Sequence, residues 1–541
     1  MARPCCESPS GEVPGDGESR CALRAVELFS GLGGMHVGAA LSGLRVCVSA
    51  AFDVNVAANE AYRLNAQPGG VLSAAARGAA STHGARVEVF RRNILSLRPG
   101  DATFEAQLAR AELLLMSPPC QPYSRRRSNP VAAAPGLDRS GRGDARADPL
   151  HHIVDLLAQG ALRPRALLLE NVLGFEESEA FLRLSGALKS RGYHWSLVVL
   201  SPTMLGIPNG RSRCFLMARD RPFGVPGWAS ALVQELRAGQ RRTPREEASR
   251  PAGSDSLKYV VLGMGDTLHA IVNEQGVDAR GLATEPMLAA LARRQAEGGA
   301  GAGASALLAA AGAAAAAGAA AAAGAATAAG AAAAAATRNY ECSPLRDFLE
   351  EHSMSPAERA ELLVPPLTLW QAGNMFRVAY PGSHYSDCVT KSYGRYQLGA
   401  GSVLCAAPQL AALSEAVARP SVDRAVEHFW AQRNAYLAEW SSAAEAATAG
   451  AEATGPRWEA VVAKEGGCPL LEPLQLRYLS PREIANLLGF PKEYQFPATM
   501  TRAQQFALLG NSLSPKVVAL LLRYMFQGDE TVPSGEVVHT V

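Results

Sequence analysis

None of the ten cysteines stands in a C-x-x-C pair, and no apolar leader core follows the N-terminal residues. Neither a disulfide framework nor a zinc cluster is therefore expected, no metal is expected, and the expected setting is reduced and intracellular, cytoplasmic with the nucleus as a further compartment. An excess of one charge is also missing. Lys and Arg number 52 against 50 Asp and Glu, a net charge of +2, so no global basic field points to nucleic acid and any such site must be local. Apart from an Ala-Gly tract that is weakly hydrophobic and broken by Gly, no apolar run approaches the ~20 residues of a membrane span. No membrane partner is expected.

Ordinary domain sequence is scarcer than the length of 541 residues suggests. The usual prior would give roughly three or four domains, but the window 284–337 is dominated by Ala and Gly, with Gly312, Gly318, Gly324 and Gly330 recurring every sixth residue. Ala favours helix and each Gly opposes it by about 1 kcal/mol, so frayed helix or disorder without a core is expected. A second low-complexity insertion is expected at about 406–465, a flexible arm at 1–22 and a flexible tail at 528–541.

What the chain does have is an alternation of apolar strands and helical patterns from 24 to 219. Strands are expected at Ala25 to Phe29, Val46 to Phe52, Leu113 to Met116, Ala166 to Leu169, Trp195 to Leu200 and Cys214 to Ala218. Helices are expected from Met35 to Leu41, Leu150 to Leu157 and Phe181 to Lys189. Strands separated by helices predict an α/β fold with a doubly wound, mostly parallel sheet. Near the C-terminus, Ser480-Pro481-Arg482-Glu483 reads as a capping box with Gly489 as the stop, Thr501 to Leu509 repeats the pattern, and Ser514-Pro515 opens an apolar helix.

The run Met116-Ser117-Pro118-Pro119-Cys120-Gln121-Pro122-Tyr123 places a cysteine in a proline-stiffened turn at the carboxyl end of a strand, where parallel α/β sheets present reactive groups. A lone cysteine is more often a buried hydrophobe. Here the cations Arg125, Arg126 and Arg127 follow at once, and an electropositive strand end favours thiolate. Glu170, at the end of Ala166 to Leu169, shares that sheet edge, and emergence from so apolar a run should push its carboxyl upward and suit it to proton transfer. Phe29-Ser30-Gly31-Leu32-Gly33-Gly34 is a Gly-rich turn between a strand and a helix, and Asp53 ends the next strand. A backbone that a ligand can approach closely, with an acidic residue about 20 positions on, suits a nucleoside-containing cofactor. Arg211 and Arg213 enter the strand Cys214 to Ala218 two apart, a spacing that places both on one face of a strand and able to clamp a phosphate or a carbonyl.

In their order, Phe29-x-Gly31-x-Gly33-Gly34, Pro118-Pro119-Cys120, Glu170-Asn171-Val172, Arg211-x-Arg213 and Gly510-Asn511-Ser512 resemble the motifs of the cytosine-C5 methyltransferases. The wording of Met116 to Pro122, Leu200 to Asn209, Leu363 to Pro366 and Ile484 to Pro491 is similar to the tRNA-directed branch of that family, once classed with the DNA methyltransferases. The matching parts cover about 24–219, 361–404 and 474–526. The resemblance implies a Rossmann-like catalytic domain at 23–221, a target-recognition region with its insertions at 222–475, and a return to the catalytic domain at 476–527. It implies S-adenosylmethionine as methyl donor, with Leu32, Gly33 and Gly34 at its methionine part, Asp53 at its ribose, Val54 and Ile94 at its adenine, and Ser117, Asn511 and Ser512 nearby. The branch signature Cys-Phe-Thr reads Cys388-Val389-Thr390 here, followed by Lys391-x-Tyr393-Gly394.

What the resemblance implies for activity is C5 methylation of tRNA at cytosine 38 of the aspartate tRNA anticodon loop, by a monomer, with DNA as a weak second substrate. Cys120 would attack C6, Glu170 would hold or protonate N3, and Arg211 and Arg213 would fix the base carbonyl and Cys120. Arg125, Arg126, Arg127, Thr390, Lys391 and Tyr393 are the candidate RNA contacts, and Arg139, Arg142, Arg146 and Arg395 are further cations of the same two segments. The rivals are the same chemistry on DNA and an inactive RNA-binding or scaffold protein. The latter predicts erosion at Cys120, Glu170, Arg211 and Arg213, yet all four are present.

Overall fold

Leu113, Leu114, Leu115 and Met116 are all fully buried, as in a strand covered on both faces. The computed structural model describes residues 23–67, 69–72, 87–123, 144–223, 261–264, 267–270, 342–350, 353–373, 376–395, 399–411, 413, 415–446 and 458–529. The larger part holds strands β1 (Leu23–Leu28), β2 (Val46–Asp53), β3 (Glu88–Arg91), β4 (Leu113–Met116), β5 (Ala166–Asn171), β6 (His194–Leu200) and β7 (Arg213–Arg219), to which β8 (Val261–Met264) and β9 (Thr267–Ala270) add. Their order in one sheet is β3-β2-β1-β4-β5-β7-β6-β8-β9. The chain runs outward from β1 in one direction through β2 and β3 and in the other through β4 and β5. The loops after β1 and β4 therefore flank the switch point, where such sheets bind ligands.

Among the described residues, four helices accompany these strands: α1 (Gly34–Leu41), α2 (Val56–Ala66), α3 (Asp148–Ala158) and α4 (Glu179–Ser190). Side chains alternate between two cores. Ala25, Leu113, Leu115, Ala166 and Leu168 join Met35 and Val37 on one side of the sheet. Val26, Leu28, Leu114, Met116, Leu167 and Leu169 meet Ile153, Leu157, Phe181 and Leu184 on the other.

The smaller part begins with α5 (Pro356–Leu362) and α6 (Pro366–Ala372), and its sheet is formed by β10 (Arg377–Ala379), β11 (Ser402–Cys405) and β12 (Leu476–Arg477). It also contains α7 (Glu415–Ala446) and α8 (Trp458–Glu465). Trp370 is fully buried at its centre among Val422, Phe429, Val461 and Leu471, and its ring N–H donates to the Gly467 carbonyl at 2.8 Å. The chain then returns to the first core through α9 (Pro481–Leu488), α10 (Arg502–Asn511) and α11 (Pro515–Phe526). Helix α11 lies directly on α1, because a Cβ on Gly38 would come within 2.4 Å of Val518.

From β1 to β7 the sheet is mostly parallel, as expected, and one expectation changes. Strand β7 runs antiparallel between β5 and β6; only a short 3-10 turn, Pro202–Leu205, lies between β6 and β7, and a parallel return needs a longer crossover. The segment 406–465, expected as a low-complexity insertion, is largely helical. Ala418, Val422, Val426, Phe429 and Tyr436 recur at steps of three, four and seven residues and their stripe packs in the core around Trp370. The window 284–337, the arm 1–22 and the tail beyond 529 lie outside the described residues.

Candidate active site

Pairing of β4 with β5 sets Met116 beside Leu169, so the loop after β4 and the end of β5 meet at one sheet edge. There the Ser117 hydroxyl donates to Glu170 Oε2 at 2.6 Å, and Arg213 Nε lies 3.2 Å from Glu170 Oε1. The Asn171 amide donates to the Pro118 carbonyl at 3.2 Å, and the Tyr123 N–H to the Cys120 carbonyl at 3.0 Å. These bonds fix the Pro118-Pro119-Cys120 turn against β5. The thiol itself departs from expectation. Burial first and then the negative charge of Glu170 push Cys120 up, Arg213 and Arg211 pull it down, and the net shift is upward. The strand end favours thiol at rest, because one buried carboxylate and lost hydration outweigh two cations.

Arg211 also takes a different place from the one its spacing suggests. It precedes β7, is 3% exposed, and spends its guanidinium on protein: Nη1 donates to Cys388 Sγ at 3.1 Å and the Val389 carbonyl at 2.9 Å, and Nη2 to the Gly510 carbonyl at 3.0 Å and to the Ser512 carbonyl. It clamps the loop at Cys388 and Val389 to the C-terminal motif at Gly510 and Ser512. Arg213 reaches Cys388 Sγ as well, at 3.8 Å. Burial pushes the Cys388 thiol up, but Arg211 and Arg213 outweigh it and the net shift is downward. Cys388 is thus a site residue that one-dimensional reading left without a role, since its two partners lie about 175 positions upstream.

The glycine-rich loop has the features of a ligand cradle. Phe29 and Gly31 both take positive φ, 57° and 50°, and a Cβ on Gly31 would meet nothing within 4 Å. The buried Ser30 hydroxyl has no hydrogen-bond partner, a state that a bound ligand would relieve. Gly33 and Gly34 have a packing reason: added Cβ atoms would lie 2.9 Å from Tyr62 and 3.0 Å from Leu513, with Ser512 Oγ at 3.4 Å. Asp53 braces the loop, accepting from the Gly31 and Asn55 N–H groups at 2.8 Å each, and burial raises its carboxyl. The Leu32 carbonyl accepts from the Tyr494 hydroxyl at 2.7 Å, Val54 is exposed, Ile94 is buried at the head of a 3-10 turn, and Asn511 is exposed beside the Ser512 carbonyl that Arg211 holds.

Beneath that loop lies a buried group the motif reading missed. Glu27 is 1% exposed and accepts from the Tyr62 hydroxyl at 2.8 Å and from the Met35 N–H at 3.2 Å, while His36 Nδ1 lies 2.8 Å from the same hydroxyl. The available signal was an acid set among Ala25, Val26 and Leu28, since Glu is almost never fully buried without partners. Burial pushes Glu27 from 4.5 up to about 8, and pushes His36 from 6.5 down to about 4. The signs oppose. A raised Glu makes stability fall as pH rises from 4.5 to about 8, and a lowered His makes it rise from about 4 to 6.5. Their effects oppose each other up to pH 6.5, and above it Glu27 is the member of the pair that still titrates. The facing titratable groups are Tyr62, Tyr494 and Asp53. Denaturant unfolding should therefore show stability falling from pH 6.5 to 8 in the wild type and flat in Glu27→Gln, and equal slopes in the two proteins would place the effect elsewhere.

The candidate RNA contacts divide. Tyr393 is buried; its hydroxyl donates to the Ser402 carbonyl at 2.7 Å and accepts from the Leu479 N–H at 2.9 Å, so it is core and not a contact. Val389 is buried beside it. Lys391 and Arg395 are exposed, and the Thr390 side-chain oxygen is buried without a partner. Arg146 pairs with Asp144 at 2.7 Å. Arg125, Arg126, Arg127, Arg139 and Arg142 lie outside the described residues.

The model of the C-5 cytosine-specific DNA methylase family matches residues 23–259 and 390–527. The chain is 30% identical over 503 residues to the Bos taurus protein named tRNA (cytosine(38)-C(5))-methyltransferase, covering 93% of this chain and 99% of the relative. A Dictyostelium discoideum protein named DNA (cytosine-5)-methyltransferase is 23% identical, with 94% of this chain and 95% of the relative covered. Among solved structures, S. pombe Dnmt2 methyltransferase superposes with a TM-score of 0.53 at 22% identity, over 93% of this chain and 98% of that one, a likeness of fold. With a family match over most of its length and the nucleophile motif, paired carboxyl and glycine loop gathered at one sheet edge, this chain belongs to the C-5 cytosine-specific DNA methylase family.

Proposed function

We propose that the chain methylates C5 of a cytosine in tRNA, at position 38 of the anticodon loop, the aspartate tRNA being the substrate that the resemblance implies. The observation that carries the chemistry is Cys120 at the sheet edge beside a Glu170 carboxyl that Ser117 and Arg213 hold from two sides. S-adenosylmethionine would supply an electrophilic methyl group. Phe29 to Gly34, Asp53, Val54, Ile94, Ser117, Asn511 and Ser512 would hold it, and the unpartnered Ser30 hydroxyl and the open volume over Gly31 support that fit.

Cytosine C5 is too poor a nucleophile to react unaided. Addition of the Cys120 sulfur to C6 forms an S–C bond and moves the C5–C6 π electrons into an enamine whose C5 can take the methyl group. Glu170 shares a proton with N3, where the displaced charge would otherwise collect. Loss of the C5 proton to water, departure of the Cys120 sulfur from C6 with the bonding electrons, and return of the N3 proton to Glu170 then restore the aromatic ring and the thiolate. A stacked base cannot reach Cys120, so the cytosine must be flipped or unstacked, which a loop permits at low cost. What supports RNA over duplex DNA is the higher identity to the Bos taurus relative named for tRNA, 30% against 23% for the Dictyostelium discoideum relative named for DNA at similar coverage.

Labelled methyl transfer to tRNA and to duplex DNA, run side by side, tests this reading. Label in tRNA that bisulfite sequencing maps to cytosine 38 is the expected result, and faster labelling of DNA would overturn the choice of substrate.

A further inference from the structure

The recognition loop carries an aromatic ring that the site described above does not use. Tyr385 is 50% exposed, yet its hydroxyl end is packed on Gly210, where a Cβ would come within 2.1 Å of the phenol oxygen. Burial of that end pushes the phenol up to about 12, so the side chain is neutral near pH 7. The backbone beneath it is fixed. Gly210 N–H donates to the Ser386 carbonyl at 2.8 Å, and the Ser386 N–H donates to the Pro208 carbonyl at 2.9 Å. Three residues along the same loop, Cys388 receives Arg211 and Arg213, the cations that also act on Cys120. Tyr385 is thus a half-exposed aromatic on a braced loop at the margin of the cytosine site. Arg377, with 79% of its side chain exposed, stands nearby against Asp387 at 3.6 Å. Val389 and Tyr393 are buried in the core and cannot take a base.

Extraction of a cytosine from a loop leaves its neighbour without a stacking partner, and an aromatic side chain is the usual replacement. We propose that Tyr385 is the stacking platform for the RNA base adjacent to the target cytosine. This rests on the substrate being RNA. Tyr385 does not touch the reacting atoms, so it sets affinity for the loop and leaves the chemical step alone.

The test is steady-state methylation of tRNA transcripts by wild type, Tyr385→Ala, Tyr385→Phe and Tyr385→Trp, with intact RNA and with an abasic nucleotide on either side of the target cytosine. Tyr385→Ala should raise KM on intact RNA by roughly tenfold with kcat little changed, the size expected for one lost base–aromatic stack. Phe and Trp should restore the wild-type KM. On RNA abasic at the stacked position, wild type and Tyr385→Ala should have the same KM, because a loss already incurred cannot be incurred twice. Additive losses at both flanking positions, or an unchanged KM in Tyr385→Ala, would overturn the proposal while wild-type labelling of tRNA still stands. If the wild type labels only duplex DNA, the substrate reading fails, and the role of Tyr385 in RNA fails with it.

Discussion

Cys120→Ala should abolish methyl transfer while leaving donor binding and the melting temperature at wild-type values. The turn that presents Cys120 is held by the Tyr123 N–H on the Cys120 carbonyl and by Asn171 on the Pro118 carbonyl, and neither bond uses the thiol. Removing a covalent nucleophile costs roughly four to six orders of magnitude in turnover, and no neighbouring group can replace the bond to C6. Because burial and Glu170 hold the Cys120 thiol up, the wild-type rate should rise with pH through neutrality as thiolate accumulates. Glu170→Gln should lower the overall rate and move that rise to lower pH, since the second of the two raising causes has been removed. Radiolabel transfer measured from pH 6 to 9, with calorimetric titration of the donor, separates these effects. Retained turnover in Cys120→Ala would refute the nucleophile, and a melting temperature well below wild type would show that the thiol is structural.

The parts of the molecule legible in the sequence are those whose causes are local. Leu113 to Met116 and Ala166 to Leu169 are too apolar for anything but covered strands, and they are β4 and the start of β5. The capping box at Ser480 forms as its spacing predicts: the Glu483 N–H donates to the Ser480 hydroxyl at 3.1 Å and the Ser480 N–H to the Glu483 carboxylate at 2.8 Å. Causes that act across the fold left no local trace. The position of Arg211 is set by acceptors at 388, 389, 510 and 512. Tyr393 sits in a polar stretch that reads as surface, and only β11 and the strand end before α9 reveal it as core. Helix α7 was hidden because its Ala-rich composition masks the few large residues that define its buried stripe. The thiol of Cys120 failed expectation for a related reason: the sequence shows the cations in its neighbourhood, but not how much solvent the fold removes.

Those long-range partners make Arg211 a residue whose loss should cost heavily in stability. Its guanidinium joins the loop before β7, the recognition loop at Cys388 and Val389, and the C-terminal motif at Gly510 and Ser512. Gly510 belongs to the same joint, since a Cβ there would lie 2.1 Å from the Thr390 backbone. Arg211→Met fills much of the volume but takes the guanidinium from the Gly510 and Ser512 carbonyls, and leaves the Val389 carbonyl and the Cys388 sulfur with only their longer contacts to the Cys388 thiol and Arg213. Each buried acceptor left unpaired costs about 1–3 kcal/mol, and loss of one member of a buried charged network typically about 3–5 kcal/mol. Expected is a destabilisation on the order of 3–5 kcal/mol, which for a domain of this size lowers the melting temperature by roughly 10 °C. Arg211→Lys should recover only part of it, because an ammonium cannot reproduce the planar fork that serves four acceptors. The contrast with Cys120→Ala is diagnostic: one variant should bind donor and melt normally without turning over, the other should lose melting temperature and, on the proposed donor site, donor affinity together, because Ser512 belongs to the clamp and to that proposed site. Scanning calorimetry with and without S-adenosylmethionine reads both quantities. An Arg211→Met protein that melts within about a degree of wild type would show that the clamp holds nothing together and would return Arg211 to a role at the base.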